Sequence, residues 1–311
     1  MAIQSLVIVS DTEAVSPTPS RSSLPAVDTI QERVPPHAYF VVSAVFHYLG
    51  PAFAVLLFVH IEPMGVAWLR IASAAVIFAI WRRPWRAWSA LGESTRRTLL
   101  GWGGVLAVMN ICFYLAIDAL PLGTVAAIEF LPVIVLAALA ARSRRNIAAL
   151  VLAVAGVYLL TDVRLAGEPW GLAFAAANAL LFAAYITLGH RVARDEALTG
   201  IDGLALSMLI AAAVALPFGL WEARPAMTDP VLLAAGIGVG VCSSVVPYVC
   251  DQLAMKRLAR STYALMVALL PATATVIGIV VLAQIPTIAE SAGVLLVIGG
   301  VALHREPSQP R

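Results

Sequence analysis

Long apolar stretches separated by short polar joints make up the chain from about residue 38 onward. A helix needs roughly 20 apolar residues to cross a bilayer. By that measure the pattern predicts ten membrane spans, near residues 38–59, 64–81, 98–118, 121–141, 147–162, 169–190, 202–221, 230–250, 261–283 and 287–304. The joints between them carry turn and charge signals such as IEPMG, RSRRN and EARPAMTDP. The predicted fold class is therefore an all-α membrane protein.

The composition also indicates that lipid is the main solvent. Of the 311 residues, 61% are hydrophobic and only 12% are charged, and the mean hydropathy is +0.90. Soluble chains usually carry about 25% charged residues. The net charge of +2 indicates no nucleic-acid partner. The three scattered cysteines form neither a disulfide framework nor a metal-binding spacing, so we predict no metal and no cofactor.

The two ends of the chain differ from the apolar part. Residues 1–37 are rich in Pro, Ser and charge and show no periodicity, which predicts a disordered tail. The short apolar patch SLVIVS lacks the length and basic flank of a signal peptide, so we expect no cleaved export signal. The predicted organisation is a tail at 1–37, five-helix units at 38–162 and 163–304, and a C-terminal tail at 305–311.

Basic residues are unevenly distributed between alternate loops, which predicts the orientation. With the N-terminus in the cytoplasm, the outside loops carry only Arg164 and Arg224. The inside loops carry Arg82, Arg83, Arg86, Arg96, Arg97, Arg142, Arg144, Arg145, Arg191, Arg194, Lys256, Arg257 and Arg260. Since cytoplasmic loops are enriched in Lys and Arg, both termini are predicted to be cytoplasmic.

Five spans separate the starts of the two halves, so the second half enters the membrane from the opposite face. The segments YLAIDALPLGTVAAI and QLAMKRLARSTYALM match weakly at constant offset, as such a repeat would allow. Inverted repeats place a substrate site near the midplane, between the halves, as in secondary transporters. The pattern therefore predicts a transporter architecture.

Several polar residues inside the spans lie at a similar depth in the membrane. At a rise of about 1.5 Å per residue, Arg70 lies roughly 10 Å below the outer face, and Asn110 and Glu129 lie roughly 12 Å below it. Asn178 on the sixth span falls near the same layer. Ionisable groups are costly in a bilayer and often mark substrate pathways. Two interpretations stay open: a polar substrate cavity, or an Arg70–Glu129 pair that only holds helices together.

Two further residues are weaker candidates for the same cavity. His47 precedes Gly50-Pro51 on the first span, where a break in the helix would free backbone groups. Tyr185 lies on the sixth span. Each side chain is equally compatible with ordinary packing. The glycine run GIGVG at 236–240 follows no strand, so it predicts close helix packing rather than a phosphate loop.

These residues resemble a known family. The run AVMNICFYLAIDALPLGTVAAIEF is similar to the third and fourth helices of the threonine/homoserine exporter group, within the EamA-type drug/metabolite transporter superfamily. The resemblance runs from about residue 38 to about 304. It implies ten helices in two inverted five-helix EamA repeats, a bacterial plasma membrane location, and efflux of small metabolites, chiefly amino acids, driven by ion exchange.

The chain also departs from that family's pattern. Members commonly have Glu-Pro in the ninth helix and Gly-Glu at its outer end, where this chain has Leu270-Pro271 and Ala283-Gln284. The segment after Glu129 is one residue shorter, reading EFLP. These differences put proton chemistry in the second half in question and leave Glu129 as the one carboxylate placed deep in a helix.

The leading hypothesis is a secondary active transporter that exports an amino acid or a related small molecule. Arg70 would attract the carboxylate, Glu129 the ammonium or a coupling proton, and Asn110 would orient the substrate. An exporter of drugs or other metabolites with the same fold, and a passive channel, are the alternatives. No enzyme is predicted, because no nucleophile or metal set is present. The predicted partners are a small-molecule substrate, the lipid bilayer and protons; a homodimer is left open.

Overall fold

The computed structural model describes residues 35–89, 91–132, 143–164, 168–192, 198, 200–255 and 269–303. Within these ranges the chain is helical. Short helices, Trp85–Trp88 and Arg224–Thr228, lie in the connections, and one π-helical turn, Val241–Val245, joins the helices Pro230–Gly240 and Val246–Met255. The main helices are α1 Pro36–Leu57, α2 Pro63–Arg82, α3 Glu93–Ala119, α4 Leu122–Glu129, α5 Arg144–Arg164, α6 Pro169–Val192, α7 Gly200–Glu222, α8 Pro230–Gly240, α9 Val246–Met255, α10 Leu270–Leu282 and α11 Ile288–Leu303.

Six helical segments of the described chain are long and apolar enough to cross a bilayer. They are His37–Leu57, Pro63–Arg82, Glu93–Ala119, Pro169–Gly189, Ile201–Glu222 and Pro230–Cys250. The all-helical membrane fold is therefore confirmed. Leu270–Leu282 and Ile288–Leu303 are shorter apolar helices, so the count of ten spans stays a prediction.

Several predictions fall on residues outside the described ranges. They concern the first 34 residues of the N-terminal tail, the inner part of the fourth span at 133–142, the start of the ninth span, and the C-terminal tail. The basic residues Arg142, Arg194, Lys256, Arg257 and Arg260 also lie outside the described residues.

Proline starts many of these helices. Pro36, Pro63, Pro169 and Pro230 each occupy the first helical position, where the missing N–H would have no partner and the fixed φ already suits a helix. Asp229 adds a cap to α8, accepting hydrogen bonds from the backbone N–H groups of the first turn.

The outward faces of the helices are apolar. Large exposed hydrophobic side chains occur along several helices, as expected of surfaces that contact lipid. Examples are Leu56, Val76, Ile80, Val151, Leu180, Phe218, Val231, Val280 and Leu295. The polar side chains that the sequence placed within the spans are instead half-buried or buried. This arrangement concentrates the polar groups between the helices.

Helix pairs in the described chain come mostly from different halves. The most extensive packing joins α5 with α11, α3 with α6, and α2 with α7. Further contacts join α1 with α9 and α10, α4 with α10, and α2 with α8. A space enclosed by these helices is therefore bounded by both halves of the chain.

The helix break that Gly50-Pro51 would allow is not present. Helix α1 continues through Pro51 to Leu57. A proline can be accommodated inside a membrane helix where neighbouring helices compensate for the lost hydrogen bond. Gly50 instead allows a close approach: an added Cβ would lie 2.7 Å from the backbone nitrogen of Ser243.

Candidate functional site

One cavity in the described chain brings all the predicted site residues together. Its empty space, including the open mouth, is about 650 Å³. It lies between helices of the two halves, and its lining includes apolar side chains such as Leu106, Phe113 and Met208. The predicted residues that line it are His47, Arg70, Asn110, Glu129, Asn178 and Tyr185.

The guanidinium of Arg70 is held by the second half of the chain. Its Nε donates to the hydroxyl of Ser244 at 3.3 Å, and its Nη2 donates to the carbonyl oxygen of Ser243 at 3.4 Å. Its Cζ also lies 5.6 Å from the centre of the Tyr114 ring, within the range of a cation–π contact. Arg70 is thus oriented by neutral groups, with its charge left uncompensated by them.

Ser243 and Ser244, the two partners of Arg70, lie on the π-helical turn Val241–Val245. A π-helix, with i→i+5 hydrogen bonding, is rare and is frequently found at functional sites. The turn packs tightly against α1 and α2. An added Cβ on Gly240 would lie 2.8 Å from the carbonyl oxygen of Arg70. The prediction that the GIGVG run serves close packing is therefore confirmed, and this packing sets Ser243 and Ser244 beside Arg70.

Glu129 contacts an amide rather than the arginine. Asn178 donates from Nδ2 to Oε1 of Glu129 at 3.2 Å. Both side chains are buried, Glu129 with 8% and Asn178 with 0% of its surface exposed. The Oδ1 atom of Asn178 is buried and has no hydrogen-bond partner among the described residues. The site therefore combines a carboxyl group with an amide oxygen for which the described residues supply no donor.

Arg70 and Glu129 do not form an ion pair. The ion pairs within the described chain are Arg82–Asp202 and Arg97–Glu93. The direct contact on which the packing interpretation depended is therefore absent, and the role of the two residues stays a prediction. Each group has its own partner on the opposite half, Ser244 for Arg70 and Asn178 for Glu129.

Glu129 lies where α4 stops. It is the last residue of the helix, and Phe130 follows as a turn. Pro132, two residues later, lacks the N–H that would continue the hydrogen-bond ladder. The carboxyl group thus sits at an interruption of the predicted fourth span rather than in the middle of a regular helix.

Asn110 lines the cavity from α3. It is buried, and its Nδ2 donates to the carbonyl oxygen of Leu106 in the preceding turn of α3, at 2.7 Å. This bond fixes the direction of the side chain. Asn110 therefore contributes a positioned amide to the wall, as predicted from its depth.

Aromatic side chains form part of the cavity wall. The hydroxyl oxygens of Tyr185 and Tyr248 lie 3.3 Å apart, and the Tyr185 ring stacks on Phe182 at 6.5 Å. Trp102 packs against Tyr185 at 5.4 Å. His47 lines the cavity from α1. The rings of His47, Phe182, Tyr185 and Tyr248 bound the space available to a ligand, and Trp102 packs behind Tyr185.

The sequence interpretation missed Ser244 and Tyr248, which line the cavity from the π-helical turn and α9. The available signal was the polar run CSSVVPY inside an apolar span. The sequence does not show which face of this helix turns inward, so it could not place Ser244 and Tyr248 in the cavity.

A second, smaller cavity was also missed. It lies between α4, α10 and α11, and Glu290 there is only 2% exposed. Thr287 and Glu290 form a reciprocal cap: the Thr287 N–H donates to the Glu290 carboxylate at 2.8 Å, and the Glu290 N–H donates to the Thr287 hydroxyl at 3.2 Å. The Thr-x-x-Glu spacing is the sequence signature of this motif.

Gln284 caps a different helix. Its Oε1 accepts a hydrogen bond from the backbone N–H of Leu122, at 3.0 Å. Leu122 is the first residue of α4, where N–H groups have no partner within the helix. Gln284, which departs from the resembled family's glutamate, therefore links the chain between α10 and α11 to the start of α4.

The chemistry that this arrangement supports is recognition of a polar solute. The main cavity holds a guanidinium, a carboxyl group, amides and hydroxyls in an otherwise apolar surrounding. Among the residues that the structure describes, no three His, Cys, Asp or Glu side chains are grouped so as to hold a metal ion.

Comparisons with known proteins relate this chain to membrane transporters. The EamA-like transporter family matches residues 169–305. The threonine/homoserine exporter RhtA of Salmonella typhimurium (strain SL1344) is 30% identical over 269 residues, covering 83% of this chain and 88% of that protein. RhtA of Escherichia coli (strain K12) is 30% identical over 241 residues, covering 76% and 79%.

A solved crystal structure also resembles the fold. It has a TM-score of 0.56 and 18% sequence identity, and the match covers 87% of this chain and 98% of that one. At this identity the similarity concerns the fold alone.

Proposed function

We propose that this chain, which belongs to the EamA-like transporter family, is a secondary active transporter that exports amino acids or related small metabolites by ion-coupled exchange. The name of the similar RhtA proteins supports this substrate class. The observation that carries the proposal is the main cavity, where Arg70 and Glu129 face one space without pairing with each other.

A zwitterion complements these two groups. Arg70 binds the substrate carboxylate, since a guanidinium presents several donors in a geometry that suits a carboxylate. Glu129 and the Oδ1 atom of Asn178 bind the ammonium group, which needs acceptors. Glu129 is also the residue proposed to carry a coupling proton. Asn110 orients the substrate, and His47 and Tyr185 bound the cavity.

The proposed architecture is ten spans in two inverted repeats, at 38–162 and 163–304. Helix packing supports it. In such a repeat, the first to fifth spans correspond to the sixth to tenth, and α8 and α9 together form the eighth span. The contact of α3 with α6 then corresponds to the contact of α1 with α8 and α9, and both are present. The pairs α2–α7, α4–α10 and α5–α11 each correspond to themselves, and all three are also present. An approximate two-fold relation between the halves has this property.

The proposed location is the bacterial inner membrane, with several passes and with both termini in the cytoplasm. The apolar helices and the exporter relatives support a multi-pass membrane protein. The loop charges support the orientation. Among the described loops, Arg82, Arg83, Arg96 and Arg144 lie on the side assigned to the cytoplasm, and Arg224 on the other.

Transport by the purified protein in liposomes tests the function. We expect accumulation of threonine or homoserine when a pH gradient is imposed, and none in protein-free liposomes. Glu129→Gln should abolish gradient-driven accumulation while substrate exchange persists. Arg70→Ala should weaken substrate binding, most for solutes with a carboxylate. Glu93→Gln and Arg224→Ala remove the same charges away from the cavity and should transport normally.

Other outcomes distinguish the alternatives. Downhill flux that ignores the gradient in every variant indicates a passive channel. Transport of an uncharged solute that Arg70→Ala leaves unchanged indicates an exporter of a different metabolite class, and the zwitterion assignment would then be wrong.

A further inference from the structure

The connection between α2 and α3 is unusually rich in arginine and tryptophan. We call residues 81–97 the basic–aromatic joint. It contains the short helix Trp85–Trp88. Its cationic and aromatic members are Trp81, Arg82, Arg83, Trp85, Arg86, Trp88, Arg96 and Arg97.

Some of these arginines already have protein partners. Arg82 pairs with Asp202 at 2.9 Å, and Arg97 pairs with Glu93 one turn away. Arg96 donates to the carbonyl oxygens of Trp88 and Ser89 at 3.1 and 3.0 Å. These contacts fold the joint onto itself and onto α7, and give it a defined shape.

Arg83 and Arg86 differ from the other three. Both are exposed, and neither forms an ion pair with a described residue. They are three residues apart, and the N–H of Arg86 donates to the carbonyl oxygen of Arg83 at 3.2 Å. Two uncompensated guanidinium groups are thus presented from one compact turn.

The backbone at Arg83 adds an independent observation. Its φ of 49° and ψ of 52° are left-handed, and its N–H donates to the carbonyl oxygen of Ala79 to end α2. Glycine usually occupies this position, because a side chain there meets steric strain. An arginine at a position that favours glycine suggests that its charge has a role beyond the turn.

The tryptophans of the joint locate it at the membrane surface. Trp81 and Trp85 are 55% and 53% exposed, although large aromatic side chains usually bury more of their surface. Tryptophan concentrates where lipid headgroups meet the hydrocarbon. The exposed rings and the two free guanidinium groups therefore lie at the depth of lipid phosphates.

We propose that the basic–aromatic joint is a binding site for the headgroup of an anionic phospholipid. Arg83 and Arg86 bind its phosphate, and Trp81 and Trp85 pack at the level of its glycerol backbone. Arginine matches phosphate geometry through paired N–H donors. Juxtamembrane clusters of several basic residues bind anionic lipids on the same physical grounds.

Thermal unfolding of the full-length protein in nanodiscs tests this site. We expect a higher Tm in discs containing phosphatidylglycerol than in discs of phosphatidylcholine alone, with the increment reduced at high salt. The double variant Arg83→Gln with Arg86→Gln should lose more than half of that increment. If it keeps the full increment, the proposal is wrong.

A charge-matched control separates a site from general surface attraction. Arg144→Gln with Arg145→Gln removes two exposed arginines from another loop on the same predicted face, where the neighbouring sequence contains no tryptophan. Because Arg145 also donates to the carbonyl oxygen of Leu303, the quantity compared is the lipid-dependent increment in Tm rather than the Tm itself. This variant should keep the increment. An equal loss in both double variants would indicate unspecific attraction, and would overturn the assignment of a site.

Arg83→Gly tests the site with a variant that is not expected to destabilise the fold. In phosphatidylcholine its Tm should equal or exceed that of the wild type, since glycine relieves the left-handed backbone. When phosphatidylglycerol is present in the discs, the Tm of the same variant should rise by less than the Tm of the wild type. Inorganic phosphate added to phosphatidylcholine discs should leave the wild-type Tm unchanged; a rise equal to the lipid increment would show that the site binds free phosphate instead.

Discussion

Asn178 donates a hydrogen bond from its side-chain amide to Glu129, and this 3.2 Å contact joins α6 of the second half to α4 of the first. The carboxyl group of Glu129 therefore has a protein partner. That partner lies on a helix forty-nine positions further along the chain. Arg70, the residue of opposite charge, binds elsewhere.

The Asn178–Glu129 contact predicts a specific pattern of stability. Asn178→Asp keeps the shape but replaces the donor with an acceptor, so we expect destabilisation of roughly 1–3 kcal/mol. Adding Glu129→Gln should restore most of the loss, because the new amide can donate to the new carboxylate. A double-mutant cycle of unfolding in detergent measures this coupling. Simple additivity of the two changes would contradict the contact.

The absence of an Arg70–Glu129 ion pair predicts no mutual rescue. Breaking a buried pair by removing one partner is costly, and removing both usually restores stability. Here the groups have separate partners, so Arg70→Met combined with Glu129→Gln should be no more abundant in the membrane than the poorer single variant. Membrane abundance and proteoliposome transport are the measurements. Recovery of both would show that the two residues act as a structural pair.

Ala283 predicts a stabilising substitution. It ends α10 with a φ of 53°, in the left-handed region, which costs an ordinary residue about 1–2 kcal/mol. Ala283→Gly removes this strain, and the greater freedom of glycine in the unfolded chain offsets part of the gain. We expect stability to rise by up to about 1 kcal/mol. Ala213→Gly, at an exposed position inside α7, should instead lose about 1 kcal/mol.

Gln284 predicts a difference between two substitutions at one position. Gln284→Leu leaves the N–H of Leu122 without its cap, which should cost about 1 kcal/mol. Gln284→Glu keeps an oxygen acceptor at this place and should be close to the wild type. Thermal unfolding in detergent compares the three proteins. Equal losses for both variants would mean that size or packing, rather than the hydrogen bond, matters at this position.

The proposed orientation predicts labelling from opposite sides. In a background without the three native cysteines, Arg96→Cys and Arg144→Cys should react with an impermeant thiol reagent only after the cells are opened. Arg224→Cys should react in intact cells. The reason is the excess of basic residues in the loops assigned to the cytoplasm. Labelling of Arg96→Cys in intact cells would show that the orientation is reversed, and the depths of the polar residues would then have to be counted from the opposite face of the membrane.

Spacing along the chain predicted most of the candidate site. Depth within a span follows from the number of residues to its end, because a helix rises by a constant amount per residue. By that relation alone, Arg70, Asn110, Glu129 and Asn178 share one layer of the membrane. In the structure all four line one cavity. Apolar length likewise predicted a helical membrane protein.

Contacts between distant segments depended on the tertiary structure. Depth gives no information about which way a side chain points around the helix axis or which helix lies beside it. Helix packing decided that Arg70 meets the π-helical turn at Ser244 and that Glu129 meets Asn178. It also decided that α1 continues through Pro51 to Leu57. The sequence determined the helices and the depth of their polar groups, and the packing of the two halves determined the partner of each group.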